Sequence, residues 1–139
     1  MKKTLFLIFS FVFVGYLHAI QEQNLFYLED NELKEADEVF LIKYSKDRNL
    51  LKINWSIEDG YYLYLDSIKL KKNSRNIQFT IENGLIIDHE DEFFGETKII
   101  RDSLSISSNI DYEVDSLEVL YQGCSDKGFC YPMTNVNIN

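Results

Sequence analysis

Cys124 and Cys130 are the residues of this chain whose type and spacing most directly offer chemistry. Five residues separate them within Tyr121-Gln122-Gly123-Cys124-Ser125-Asp126-Lys127-Gly128-Phe129-Cys130-Tyr131-Pro132. If the flanking segments are antiparallel strands, the two sulfurs face each other across a hairpin neck, and a disulfide is geometrically reasonable. Such a bond has two readings. As a static staple, it closes a loop of about seven residues and contributes roughly 2.4 kcal/mol in the chain-entropy model, less than a long-range bridge would. As a redox couple, it cycles by attack of a thiolate on a disulfide sulfur. A third chemistry draws on Cys124, Cys130, His89 and Met133, a soft set that would suit Cu(I), but the spacing fits no zinc pattern. The chain has no Gly-rich phosphate loop and no Ser or Cys in a hydrolase elbow, and nothing in it calls for a cofactor or a metal.

The elements that must position these residues read as strands. Leu51, Ile53, Trp55 and Ile57 alternate with Lys52, Asn54, Ser56 and Glu58, the period of two of a half-buried strand. Glu38 to Tyr44 predicts an earlier strand, and the lead-in from Leu28 to Phe40 has room for a short helical turn. Asp59-Gly60 marks a turn before Tyr61-Tyr62-Leu63-Tyr64-Leu65, with Ile68 and Leu70 following. Ile77, Phe79 and Ile81 alternate up to Asn83-Gly84, read as the next turn. Leu104 and Ile106 alternate with serines, Leu117, Val119 and Tyr121 form another set, and Thr134 to Ile138 predicts the last strand. About seven short strands with turn signals between them predict an all-β chain, an immunoglobulin-like antiparallel β-sandwich.

A length of 139 residues, 45% of them hydrophobic and 14% aromatic, allows one domain with a core and excludes both a large multidomain enzyme and intrinsic disorder. The first residues carry an address. Met1-Lys2-Lys3 is basic, Leu5 to Leu17 is nearly all apolar, and Leu17-His18-Ala19 resembles a cleavage site, so residues 1–19 read as a secretory signal peptide. If left uncleaved, it would tether the domain to a membrane. Losing Lys2 and Lys3 leaves 12 basic against 23 acidic residues, a net charge of -11. That sign excludes nucleic acid as a partner. The destination is an oxidising compartment where two cysteines can cycle or staple.

Three segments together resemble the periplasmic N-terminal domain of DsbD, the thiol:disulfide interchange protein. They are Asp59-Gly60-Tyr61-Tyr62-Leu63-Tyr64, His89-Glu90-Asp91-Glu92-Phe93-Phe94-Gly95, and Tyr121 to Cys124 continuing through Gly128-Phe129-Cys130-Tyr131-Pro132. The resemblance runs from about Ala36 to the end and implies an immunoglobulin-like sandwich over residues 20–139. It further implies that Cys124 and Cys130 are the redox pair, with Cys130 forming mixed disulfides and Cys124 resolving them. Asp91, Glu92, Phe93, Phe94 and Gly95 match the family's cap loop, in which an aromatic side chain, here Phe93, covers the disulfide. Tyr62 and Tyr64 match rings that line the site, although both would also serve as core residues.

By the same resemblance the domain relays reducing electrons in the periplasm. A thioredoxin-like protein or a membrane electron carrier would be the donor, and disulfide isomerases or the thioredoxin-like proteins of cytochrome c maturation would be the acceptors. The family protein continues into a membrane carrier and a thioredoxin-like domain, whereas this sequence stops at Asn139, which predicts a free-standing module supplied by a separate donor. The alternative is a secreted sandwich that binds a protein partner and keeps Cys124 and Cys130 as a static staple.

Overall fold

The computed structural model describes residues 33–92, 94–110 and 116–138; the signal-peptide expectation for residues 1–19 lies outside them. The described residues form two antiparallel sheets. The six-stranded sheet contains β1 (Phe40–Asp47), β2 (Leu50–Ile57), β3 (Tyr61–Tyr64), β6 (Thr80–Asp91), β7 (Gly95–Asn109) and β9 (Gly123–Ser125). Its order is β1-β2-β7-β3-β9, with β6 on the other edge of β7. The four-stranded sheet runs β10-β8-β4-β5, built from β4 (Lys69–Lys72), β5 (Arg75–Ile77), β8 (Leu117–Tyr121) and β10 (Thr134–Asn137).

The main core lies between the sheets. Leu51, Ile53, Trp55 and Ile57 are buried while Lys52, Asn54 and Ser56 are exposed, so the alternation in β2 places one face inward as the sequence predicts. Leu104 and Ile106 of β7 and Leu117, Val119 and Tyr121 of β8 join the same cluster. Phe40 stands at its centre and meets Tyr61, Tyr121 and Tyr131 edge-on at centroid distances of 6.1, 5.9 and 5.5 Å, an arrangement in which a positive ring edge meets a negative ring face.

Two local expectations are corrected. The first strand starts at Phe40 rather than Glu38, because Ala36–Val39 forms a helical turn α1. That turn is closed by a capping box in which the Glu35 N–H donates to Glu38 Oε2 at 2.9 Å. Asn83-Gly84 is not a turn. Strand β6 runs through it to Asp91, and the pairing with β7 slips between Ile81 and Asn83 and again between Gly84 and Leu85. The slip is a bulge: Leu85 pairs with Arg101 and Gly84 with Leu104, so Asp102 and Ser103 are extra, and Asp102 sits at φ 64°. The resulting β6–β7 hairpin is longer than any strand pair read from the sequence. In its upper half the period of two is broken at Ile99 and Ile100 of β7, where both faces are covered, while Leu85 and Ile86 of β6 stay exposed. Ile100 packs in the main core, and Ile99 packs in a second cluster on the opposite side of the sheet.

Candidate functional site

That second cluster contains the cysteines. Strand β3 pairs with β9 so that Tyr62 lies opposite Cys124 and Leu63 opposite Gly123. Leu63 belongs to the main core, whereas Tyr62, Tyr64, Ile99 and Cys124 gather on the outer face of the six-stranded sheet, with Ile87 and Cys130 against them. The chain reaches this face by changing sheets. Strand β8 belongs to the four-stranded sheet, β9 follows after Gln122 in the other, and the chain returns to pair β10 with β8. Gly123 permits the crossing, since a Cβ there would stand 2.4 Å from Phe40 Cζ and 2.6 Å from the Tyr62 carbonyl oxygen. Ser67 Oγ receives the Gln122 N–H at 2.9 Å and holds the crossing point.

Cys124 and Cys130 are joined in a disulfide. The loop between them is ordered by its own backbone: the Ser125 N–H donates to the Phe129 carbonyl at 2.8 Å, and the Gly128 N–H to the Ser125 carbonyl at 3.0 Å. Gly128 takes φ 84°, a left-handed conformation that favours glycine. The two sulfurs differ in access, because Cys124 is 0% exposed while Cys130 is only half-buried.

Tyr64 links the disulfide to the β6–β7 hairpin. Its hydroxyl donates to Asp91 Oδ2 at 2.5 Å, and the oxygen lies 3.3 Å from Cys124 Sγ and 3.9 Å from Cys130 Sγ. Burial first, and then the bond to Asp91, push the Tyr64 phenol far above its usual pKa. The hydroxyl therefore keeps its proton for Asp91 and turns lone pairs toward the sulfurs. Asp91 Oδ1 accepts the Phe94 N–H at 3.0 Å, fixing the hairpin tip, and the Phe94 ring meets Tyr64 edge-on at 5.1 Å. Tyr62 is enclosed by Tyr64 at 5.5 Å, His89 at 5.3 Å and the Arg101 guanidinium at 5.2 Å.

Comparison with known proteins agrees with this arrangement. The family model described as thiol:disulfide interchange protein DsbD, N-terminal, matches residues 30–139. This chain belongs to the DsbD N-terminal family. The DsbD of Colwellia psychrerythraea (strain 34H / ATCC BAA-681) is 39% identical over 111 residues, covering 76% of this chain and 18% of that relative. The DsbD of Escherichia coli (strain K12) is 38% identical over 100 residues, covering 70% of this chain and 17% of the relative. The chain thus spans less than a fifth of the length of either DsbD. The reduced N-terminal domain of Neisseria meningitidis DsbD superposes with a TM-score of 0.66 at 24% identity, covering 78% of this chain and 89% of that one. The same domain in a complex with the N-terminal domain of PilB gives a TM-score of 0.59 at 23% identity, with coverages of 78% and 87%. Both share its immunoglobulin-like sandwich fold.

Of the residues matched to the DsbD N-terminal pattern, Cys124, Cys130, Tyr62, Tyr64, Asp91 and Phe94 are brought together. The two readings of the tyrosines merge, for both are buried, yet in the cysteine cluster rather than the main core. Glu92 is exposed at the hairpin tip and Gly95 pairs with Asp91. Phe93 lies outside the described residues. His89 packs on Tyr62 and Met133 is exposed; in the disulfide form the two sulfurs offer no thiolate to a soft ion.

Two further residues of this site escape a reading of the sequence. Arg101 and Asp126 form a bidentate ion pair with N–O distances of 3.1 and 2.7 Å. Asp126 is visible as a member of the cysteine loop. Its partner lies 25 residues earlier, and only the pairing of β3 with β7 and β9 brings the two together.

Proposed function

We propose that Cys124 and Cys130 form a dithiol–disulfide couple that exchanges with partner proteins in the periplasm and relays reducing electrons, Cys130 making the mixed disulfide and Cys124 resolving it. On this reading residues 1–19 are the signal peptide and residues 20–139 the exchange domain. The observation that carries the reading is the asymmetry of the sulfurs: Cys124 is sealed beneath Tyr62 and Tyr64, whereas Cys130 keeps a solvent-facing side. A static staple needs no such difference, while exchange needs one accessible sulfur and one held in reserve.

The surroundings suit a couple that stays quiet between encounters. A thiolate formed beside the Tyr64 oxygen would face lone pairs and the nearby Asp91 carboxylate in a desolvated cluster, and all three disfavour its charge. A thiol in the same place can instead donate S–H to that oxygen. Docking that displaces the hairpin tip would remove this brake. The complex with the PilB N-terminal domain in the Neisseria meningitidis protein supports a folded protein as partner. We assign the donor role to a thioredoxin-like protein or a membrane carrier, and the acceptor role to disulfide isomerases or the thioredoxin-like proteins of cytochrome c maturation.

Redox equilibrium tests the proposal. Structural disulfides of exported proteins sit below about -300 mV, whereas thioredoxin-like exchangers span roughly -180 to -270 mV. Equilibration with glutathione and dithiothreitol buffers should place the Cys124–Cys130 couple in the upper range. A value far below -300 mV assigns the bond to stapling.

The cap loop is tested by alkylation. With Phe93 and Phe94 shielding the sulfurs, Phe93→Ala and Phe94→Ala should each speed reaction of the reduced protein with iodoacetamide by about three- to tenfold, because access limits thiol reactivity along with thiolate fraction. Phe94 is 58% exposed, so its truncation should leave the melting temperature nearly unchanged. Joint replacement of Asp91→Asn and Glu92→Gln should raise Cys130 reactivity by easing thiolate formation. Early melting of Phe93→Ala with parental alkylation would make Phe93 a packing residue, since truncating a buried Phe costs about 3–5 kcal/mol.

A further inference from the structure

We propose that Arg101 is a positioning residue that clamps the loop between the cysteines, so that the two thiols stay opposed after their bond is broken. The inference rests on the exchange reading above and concerns how the pair closes again. Arg101 touches both walls of the site. Its two terminal nitrogens donate to the two oxygens of Asp126, at 3.1 and 2.7 Å, a fork geometry that fixes direction as well as distance. The face of the same guanidinium lies 5.2 Å from the centroid of Tyr62, the residue directly opposite Cys124 in the ladder. The Arg101 side chain is 29% exposed and that of Asp126 49%, so the hold comes from the fork geometry and the Tyr62 contact more than from charge, which solvent screens.

Placement of Arg101 is built into the sheet. The bulge begins at the next residue, where Asp102 takes φ 64°, and Arg101 is the last residue of β7 in the upper register, paired with Leu85. Bulges re-aim the side chains beside them. The clamped residue is anchored as well, because the Asp126 N–H donates to the Gly60 carbonyl at 2.8 Å. Gly60 immediately precedes β3, so backbone and carboxylate tie Asp126 to two different strands of the sheet that carries Cys124.

The consequence appears in the reduced state. Oxidation by glutathione disulfide forms the Cys124–Cys130 bond and breaks the glutathione one. Two electrons and two protons pass from the protein thiols, leaving two glutathione molecules. The equilibrium constant is the effective concentration of one protein thiol at the other, which rises as the chain between them is held in its closed geometry. Once the disulfide is gone, the hold on Asp126 acts beside the loop's backbone bonds, the Phe129 N–H bond to Ser125 Oγ at 3.4 Å and the Phe129–Tyr131 ring contact. Loss of the clamp widens the reduced ensemble and leaves the oxidised form tied by its covalent bond.

The test is the equilibrium constant of full-length Arg101→Gln, Asp126→Asn and the double variant in glutathione and dithiothreitol buffers, with melting curves of both redox forms alongside. Each single change should lower the effective concentration about fivefold, and the double change no further than Arg101→Gln alone, because both single changes break the same fork and Arg101→Gln already removes the contact with Tyr62. Asp126→Asn keeps the backbone bond to Gly60 and so reports on the fork even if Arg101→Gln folds poorly. A parental equilibrium constant in both single variants overturns the clamp, as does a double variant whose loss is the product of the single losses. A lowered melting temperature with an unchanged constant assigns the pair to stability alone and likewise overturns it. The ratio of variant to parent tests the clamp in any buffer strong enough to reduce the bond, whereas the absolute potential of the parent tests the exchange function, so the two fail separately.

Discussion

Cys124→Ser should accumulate covalent complexes with partner proteins through Cys130, and Cys130→Ser should accumulate at least about tenfold fewer. In the exchange proposed above, the Cys130 thiolate would attack a partner disulfide, one partner sulfur would leave, and a mixed disulfide would remain until a second thiolate displaced the other partner sulfur. Cys124 is placed for that second step, lying in the ladder opposite Tyr62 with its sulfur adjacent to Cys130. A serine hydroxyl cannot take its place, so the complex persists. The reciprocal variant leaves the thiol at position 124 completely buried, where no partner disulfide can reach it without opening the cluster of Tyr62, Tyr64 and Ile99. Non-reducing gels of whole-cell extracts, with and without dithiothreitol, read the result. Equal trapping by both variants would overturn the roles, and trapping by neither would favour the staple.

The largest expected loss of stability comes from one methyl group. Gly123→Ala places a Cβ 2.4 Å from Phe40 Cζ and 2.6 Å from the Tyr62 carbonyl oxygen. Neither neighbour can yield cheaply. Phe40 is 1% exposed and held edge-on by three tyrosine rings, and the Tyr62 carbonyl belongs to the backbone of β3, which is paired on both sides. Overpacking of a dense core costs about 1–3 kcal/mol, and a clash against backbone puts this case at the upper end. At roughly 4 °C per kcal/mol for a domain of about 100 residues, the melting temperature should fall by about 12 °C. Because β9 must then move away from β3, Cys124 would also leave the cover of Tyr62, and alkylation of the reduced protein should accelerate. A fall of less than about 4 °C would mean that the crossing between the sheets tolerates a side chain, contrary to the packing described here.

Local order is legible in the residues alone. The alternation from Leu51 to Ile57 follows from burying one face of an extended chain, and the strand it predicts is present with that face inward. The spacing of Cys124 and Cys130 permits a disulfide across a hairpin neck, and the two residues are bonded and paired as an antiparallel bridge. Asp59-Gly60 is a turn because glycine there adopts φ 83°. Asn83-Gly84 carries the same kind of signal and misleads, since a glycine also serves a bulge. Only the pairing of β6 with β7 distinguishes the two. The tertiary structure alone decided which side of the six-stranded sheet the cysteines occupy and what surrounds them. Tyr64 and Asp91 are 27 residues apart, and Arg101 and Asp126 are 25 apart. Their meeting depends on strand register and on the chain changing sheets at Gln122, and neither leaves a mark in the residues themselves. A period of two records that one face is covered; where a second cluster covers the other face as well, as at Ile99 and Ile100, the period vanishes and the site becomes visible only in the fold.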